Sequence, residues 1–402
     1  MRTQPTSVWA VALTAMIAFM GLGLVDPILP SISAELGATT TQTSLLFTSY
    51  LVVTAVGMFF TSAISSRLGS RTTLLLGLGV IVLGAAGAGA SGSIGEIIAF
   101  RAVWGLGNAL FISTALATII NEARGSSAGA IIMYEAALGL GLAVGPLLGG
   151  VLGGISWRGP FFGTAALMTI GAVLLAVLLR SPGRPPRPSP VLAAFGALRH
   201  RALRVMAIVA LFYNMGFFVL MSFTPYPLGL PAMGIGLVFA GWGLSLAITS
   251  VFVAPALTRR WPPVRVLTVT LVLLTATMAG FALVIDHLAL LVVGMVLAGL
   301  ELGIMNTVMT EVVMGATDVP RQVASSAYSG VRFLGGAIAP PLATGLAASV
   351  AMSTPYWFAA GALAVAAGLL VVLRRHLHRR EPELPKPAQP ALPAQPADAV
   401  AN

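Results

Sequence analysis

Cysteine is absent from the 402 residues, which excludes disulfides and thiolate-bound metal. Charge is scarce as well: Asp, Glu, Lys and Arg make up 8% of the chain against 57% apolar residues, and mean hydropathy is +0.95. A soluble domain carries about a quarter charged residues, so this apolar excess cannot be hidden in one aqueous-phase core, and the chain must use lipid as its solvent. No GxxxxGK(S/T) loop is present to cradle phosphates, which argues against ATP as an energy source, and no GxSxG elbow or HExxH pair supports hydrolysis. These absences predict that the protein is not an enzyme and carries no cofactor and no metal. The formal charge of +10 invites a nucleic-acid reading, but apart from Arg101, Arg158 and Arg332 the basic residues sit at the ends of apolar segments or in polar links. There they fix topology and touch anionic lipid, so no nucleic-acid partner is expected.

What the chain has is a series of apolar runs, and about 20 such residues at about 1.5 Å each cross a bilayer. Twelve segments qualify: 8–30, 44–66, 72–92, 97–120, 126–154, 159–180, 203–224, 236–257, 265–285, 288–313, 322–349 and 354–374. The first could pass for a signal peptide, but it lacks a convincing small-residue cleavage site and leads straight into Asp26-Pro27, so it is read as a spanning helix. An even number puts both termini on one side. Arg67, Arg71, Arg124, Arg259, Arg260, Arg265 and Arg321 mark one set of loops, while the other offers Asp26, Glu35, Glu96, Arg158, Asp286 and His287. The excess of arginine places both termini in the cytoplasm of a cell whose inner membrane the chain crosses.

The sequence therefore predicts an all-α membrane protein of twelve transmembrane helices in two pseudo-symmetric six-helix bundles, residues 1–180 and 203–380. The proline- and arginine-rich stretch 181–202 reads as a cytoplasmic linker, with a short surface helix near Val191 to Leu198. Residues 381–402, rich in proline and alanine, read as a disordered tail, and Arg374, Arg375, Arg379 and Arg380 anchor the last helix at the membrane surface.

One stretch organises the rest. Tyr134 to Gly154 carries a single acid, Glu135, followed by glycines four apart at Gly141, Gly145, Gly149 and Gly153. On a helix this leaves one groove in which a second helix can lie backbone to backbone. The pattern returns at one constant offset: Tyr328 answers Tyr134, Gly335 answers Gly141, and Ala339 and Pro340 answer Gly145 and Pro146. Such a repeat points to two similar bundles with movement between them.

Charges inside a bilayer cost several kcal/mol, so each asks for a reason. Glu135 lies roughly 14 Å deep by helical rise, off the glycine stripe, placed to exchange a proton or to pair with a cationic group; the alternative is a satisfied structural hydrogen bond. Glu301, near the middle of the tenth segment, is the corresponding acid of the second half or a packing bond. Asp26 and Arg101 share a depth near the outer surface and are read as a structural ion pair or as a coupling pair. Glu311 reads as a partner of Arg321 or Arg332 at a closed inner gate, and Arg332 as long enough to snorkel to the inner surface. Asn108, Tyr134, Tyr213, Asn214, Phe217, Phe218, Trp242, Asn306 and Tyr328 combine aromatic walls with a few polar groups, which suits an amphiphilic organic molecule.

At these residues the chain resembles the major facilitator superfamily, and within it the twelve-helix drug:proton antiporter group. The resemblance covers roughly residues 8 to 374. GLGLVDPILP, Gly21 to Pro30, is similar to the first-helix motif; FRAVWGLGNAL, Phe100 to Leu110, to the fourth-helix motif through Arg101, Gly105 and Gly107, with Trp104 where glutamine is common. LGLGLAVGPLLGG, Leu138 to Gly150, matches the antiporter motif of the fifth helix. The loop between the second and third helices departs from its pattern. SAISSRLGSR, Ser62 to Arg71, keeps Arg67, Gly69 and Arg71, but Ser66 stands where the family has Asp. The inner electrostatic latch would then fall to Glu122, Glu311 or Asp318. The resemblance implies two bundles around a central cavity, alternating access, and a role of Arg101 in proton coupling.

Together these observations predict a secondary transporter, complete as a monomer, that exports an amphiphilic small molecule in exchange for protons. Two alternatives stay open: an importer or exporter of a sugar or other metabolite on the same architecture, and a membrane protein that does not transport.

Overall fold

In lipid every backbone polar group must be satisfied within its own segment, which leaves helices as the answer to long apolar runs. The computed structural model describes residues 4–25, 28–124, 127–179, 188–315 and 318–373. Its helices are α1 (Thr6–Gly23), α2 (Leu29–Leu36), α3 (Thr40–Leu68), α4 (Ser70–Ala90), α5 (Ile94–Glu122), α6 (Ser127–Ile155), α7 (Gly159–Leu178) and α8 (Ala193–Ala197). The second half holds α9 (Arg201–Phe223), α10 (Pro225–Leu228), α11 (Ala232–Ile248), α12 (Ala254–Arg260), α13 (Pro263–Leu283), α14 (Leu288–Gly315), α15 (Arg321–Ser349) and α16 (Thr354–Leu373). Twelve spans among the described residues are long and apolar enough to cross a membrane, with α11 and α12 forming a single span. They join through a π-helical turn, Thr249–Val253. Pro255 lies just beyond it and offers no N–H for the regular ladder.

The largest departure from the segment boundaries read in the sequence is at the end of the first span. The first helix stops at Gly23, where Leu24 N donates to Met20 O at 3.0 Å, rather than running to residue 30. A separate helix, α2, follows and ends at Gly37 in the left-handed region, φ 60°. Proline restricts the residue before it and suits the first turn of a helix, so Pro30, in the first turn of α2, fits the start of a new helix where the apolar run suggests a continuous one. Asp26, residues 181–187 of the linker and the tail from Arg374 onward lie outside the described residues. In the loop before α5 the cap is shared: Ser93 Oγ accepts from Glu96 N at 3.3 Å, and the Glu96 carboxylate accepts from Gly92 N at 2.8 Å.

The glycine stripe does what its spacing predicts, and its partner is α1. A Cβ on Gly141 would come within 2.5 Å of Met16 O, and one on Gly145 within 2.5 Å of Met20 O. Gly149 faces Leu24 O in the same way. In the second half Gly335 of α15 packs against Leu211 O of α9, so the two bundles repeat one contact. The other face of α6 is small as well and meets α11 of the opposite bundle. Cβ atoms there would lie 2.7 Å from Ala247 Cα at Gly139, and 2.5 Å from Ala143 N at Gly243. Farther along, one on Gly236 would lie 2.6 Å from Pro146 O, and one on Gly150 3.0 Å from Ala232 O. This seam runs toward the end opposite the arginine-rich loops.

At the arginine-rich end the bundles are tied by polar side chains instead. Arg321 donates to Ile120 O at 3.0 Å and to Ser127 Oγ at 2.9 Å, Gln322 bonds Ser65 Oγ, and Ser325 Oγ donates to Ser113 O at 3.2 Å. Gln4 on the amino-terminal side meets Arg124 at this same end, Nε2 donating to its carbonyl at 2.7 Å. Within the stretch read as a surface helix, α8 forms and stacks Phe195 on Phe59, centroids 4.5 Å apart.

The loop motif after α3 is held without acids. Ser66 Oγ accepts from Ser189 N at 2.9 Å, Arg67 donates to Ala63 O at 2.8 Å and Ser189 O at 3.2 Å, and Arg71 donates to Ala176 O at 2.7 Å. Gly69, φ 85°, makes the tight passage from α3 to α4. The expected transfer of the latch to Glu122, Glu311 or Asp318 is therefore corrected: serine and backbone carbonyls of the linker and of α7 replace the carboxylate. Glu122 instead accepts from Ser7 Oγ at 3.3 Å.

Candidate functional site

Between the bundles lies a contracted cavity of about 30 Å³, room for about one water. Its polar lining comes from three helices: Tyr134 and Glu135 of α6, Thr310 of α14, and Tyr328, Ser329 and Arg332 of α15; Phe19 and Phe333 supply aromatic walls. Larger hollows, about 660 Å³ beside α4 and α7 and about 290 Å³ beside α13, are apolar and lie on the outside of the bundles, where Leu83 and Val269 are 68% and 52% exposed. Those are lipid-facing grooves.

Glu135 is fully buried. Its Oε1 accepts from Thr310 Oγ1 of the opposite bundle at 2.9 Å, while Oε2 and the Tyr328 hydroxyl have no hydrogen-bond partner among the described residues. A buried polar atom without a partner costs about 1–3 kcal/mol, so this site holds unspent hydrogen-bonding capacity. Tyr134 packs edge-on against Phe19, centroids 5.7 Å apart. Because the glycine stripe faces α1, the helix turns Glu135 toward the other bundle, as its position off the stripe predicts.

Arg332 departs from its sequence reading. It does not snorkel to the surface; it lines the central cavity. Nε donates to Asn214 Oδ1 at 3.2 Å and Nη2 to Asn306 Oδ1 at 2.8 Å, while Asn214 Nδ2 donates back to Arg332 O at 2.9 Å. Tyr213 donates its hydroxyl to Asn306 Oδ1, and its ring lies 5.7 Å from the guanidinium carbon. Asn214, Asn306 and Tyr213 thus form a socket for one cation. The helical rise carried the signal: eleven residues beyond Arg321 at about 1.5 Å each is mid-membrane depth.

Other predicted residues divide. Phe217, Phe218, Phe333 and Trp242 form one aromatic wall, with Phe217 5.6 Å from Trp242 and Phe218 6.1 Å from Phe333; Trp242 Nε1 has no partner among the described residues. Asn108 bonds the Tyr50 hydroxyl inside the first bundle and is not among the cavity's lining. Arg101 is fully buried, its guanidinium carbon 4.6 Å from the Tyr50 centroid and 4.7 Å from that of Trp104, with Nε donating to Leu46 O at 3.2 Å. Its pairing with Asp26 falls on a residue outside the described set. Glu301 accepts from Thr277 Oγ1 on α13 at 2.9 Å and does not line the cavity. Its depth matches the prediction, but its direction does not.

Glu311 is corrected as well, since Arg321 and Arg332 are engaged elsewhere. It borders a hollow of about 430 Å³ near the arginine-rich end, with Arg259, Thr307, Gly129 and Ile132. Ile132 and Thr307 lie one helical turn from Glu135 and Thr310, so this hollow leads toward the central cavity along α6 and α14. Pro146 and Pro340 lie inside α6 and α15. Pro146 packs on Gly23, its Cδ 2.7 Å from where a Cβ would stand.

Comparisons with known proteins agree with this geometry. The profile described as Major Facilitator Superfamily matches residues 11–313 and 206–400. Over 377 residues the chain is 50% identical to the multidrug efflux protein YfmO of Bacillus subtilis (strain 168), covering 93% of this chain and 95% of that one. It is 23% identical over 371 residues to multidrug resistance protein 1 of the same organism, covering 90% and 95%. A solved structure titled as the human organic anion transporter MFSD10 (TETRAN) superposes with a TM-score of 0.75 at 18% identity, covering 91% of this chain and 99% of that one. At that identity the likeness speaks to the fold alone.

Proposed function

The chain belongs to the Major Facilitator Superfamily, and from that premise we propose that it is a proton-coupled exporter of amphiphilic small molecules across the cytoplasmic membrane, with both termini in the cytoplasm. It is a multi-pass membrane transport protein rather than an enzyme. The observation that carries the finer reading is Glu135: a mid-membrane acid of one bundle, held by Thr310 of the other, with its second oxygen unpartnered in the cavity between them. An acid so placed senses whether the bundles are together or apart. Protonated from the outer side, it carries the proton inward as the outer seam closes. After release, its free oxygen accepts a hydrogen bond from the next substrate, so proton and substrate compete for one group. Relatives named for multidrug efflux and multidrug resistance support export of drug-like compounds. Both bundles of the pathway belong to one chain, which supports function as a monomer.

The test is uptake into inverted membrane vesicles under an imposed proton gradient, with amphiphiles of different charge. Accumulation that collapses with the gradient, and is lost in Glu135→Gln, supports the reading. Accumulation indifferent to both overturns it.

A further inference from the structure

The cavity has two charged side chains among its described lining residues, Glu135 and Arg332, one from each bundle. They differ in how they are held. Glu135 has one bond and one free oxygen. Arg332 is built in: Asn214 accepts from the Arg332 Nε and donates to Arg332 O, and Asn306 accepts from Nη2 while also accepting from Tyr213. Two amides and a phenol therefore hold the guanidinium on α9, α14 and α15. With Glu135 ionised the lining is neutral. A cation entering would leave one net positive charge in a site with little water, next to an arginine that cannot swing away.

We propose that Arg332 sets the substrate's charge, so that the site selects uncharged amphiphiles bearing a hydroxyl or N–H donor and rejects monovalent cations. This rests on the reading of the cavity as the transport site and narrows its substrate class. The donor requirement follows from the free Glu135 Oε2 and the unpartnered Tyr328 hydroxyl, which together offer an acceptor and a group that both donates and accepts. The bulk of the substrate packs on the aromatic wall of Phe217, Phe218, Phe333 and Trp242 once the bundles part, because about 30 Å³ admits no organic molecule.

The experiment measures binding of two fluorescent probes to the purified full-length protein in detergent: phenylnaphthylamine, uncharged with one N–H, and ethidium, a permanent cation. The native protein favours phenylnaphthylamine. Arg332→Gln shifts the affinity ratio toward ethidium by about tenfold or more, the order expected for a unit charge a few ångströms away at protein dielectric, and Arg332→Lys keeps the native preference. Glu135→Gln, which leaves Arg332 unbalanced, moves the ratio the opposite way. An unchanged ratio in both glutamine variants, or a native preference for ethidium, overturns the proposal. Binding in detergent needs no gradient, so failure of proton-driven uptake in vesicles would sink the antiport reading without touching this one.

Discussion

Thr310 in the second bundle donates its hydroxyl to Glu135 in the first across 2.9 Å. The acid of one half is thus seated by a residue of the other, and the bond can exist only while the halves are together at that level. Hydrogen bonds to charged groups contribute about 1.5–3 kcal/mol. Thr310→Val is expected to lower gradient-driven uptake by about tenfold, and Thr310→Ser, which keeps the hydroxyl, to restore it. Initial uptake rates in inverted vesicles decide the matter; equal rates in the valine and serine variants would mean that the bond has no part in the cycle.

The two buried acids should separate. Glu135 faces the cavity between the bundles, whereas Glu301 faces Thr277 on α13. Glu135→Gln should flatten the pH dependence of uptake and uncouple it from the gradient. Glu301→Gln, whose amide oxygen can still accept from Thr277, should retain both. Uptake across a range of pH values in each variant is the check, and loss of coupling in Glu301→Gln alone would reverse the assignment.

The glycines of α6 should differ sharply in tolerance. Gly145→Val drives a branched side chain into Met20 O of α1, an overpacking that costs about 1–3 kcal/mol or more. Gly154→Ala meets open space within 4 Å and should be neutral. Thermal unfolding in detergent should show a clear drop in Tm for the first and none for the second.

At the arginine-rich end, Arg321→Gln removes the donors to Ile120 O and Ser127 Oγ. Losing two charged hydrogen bonds should favour opening there. The chain has no native cysteine, so a Ser325→Cys probe, buried in this conformer, reports without background. Maleimide labelling of the probe should be about tenfold faster in the Arg321→Gln protein. Labelling at the same rate would show that this bridge does not close the path.

What the sequence reveals of this protein follows from the range of each signal. Length and hydropathy suffice for twelve spans, and glycine spacing suffices for backbone-to-backbone packing, because both are properties of a single helix. Direction around a helix is harder when a span is apolar on every side: Glu301 and Glu135 lie at similar depth, yet one faces Thr277 and the other the cavity. Arg332 was within reach, since helical rise alone places it at mid-membrane, but a long cation near a basic loop also fits a snorkelling side chain. Its socket of Asn214, Asn306 and Tyr213 comes from two other helices, which no local pattern announces. The same holds for Ser66, whose partner Ser189 lies in a linker with no periodicity to betray its path.

The seam of Gly139, Ala143 and Gly150 against Gly236, Gly243 and Ala247 has a mechanical consequence. Surfaces without projecting side chains have nothing to unthread, so the halves can part like smooth plates rather than meshed gears. Resistance to parting then comes from what must fill the gap, namely lipid tails or water. Bilayer thickness and acyl-chain packing therefore act on this joint directly, and turnover should vary with the surrounding membrane even when every residue of the cavity is unchanged.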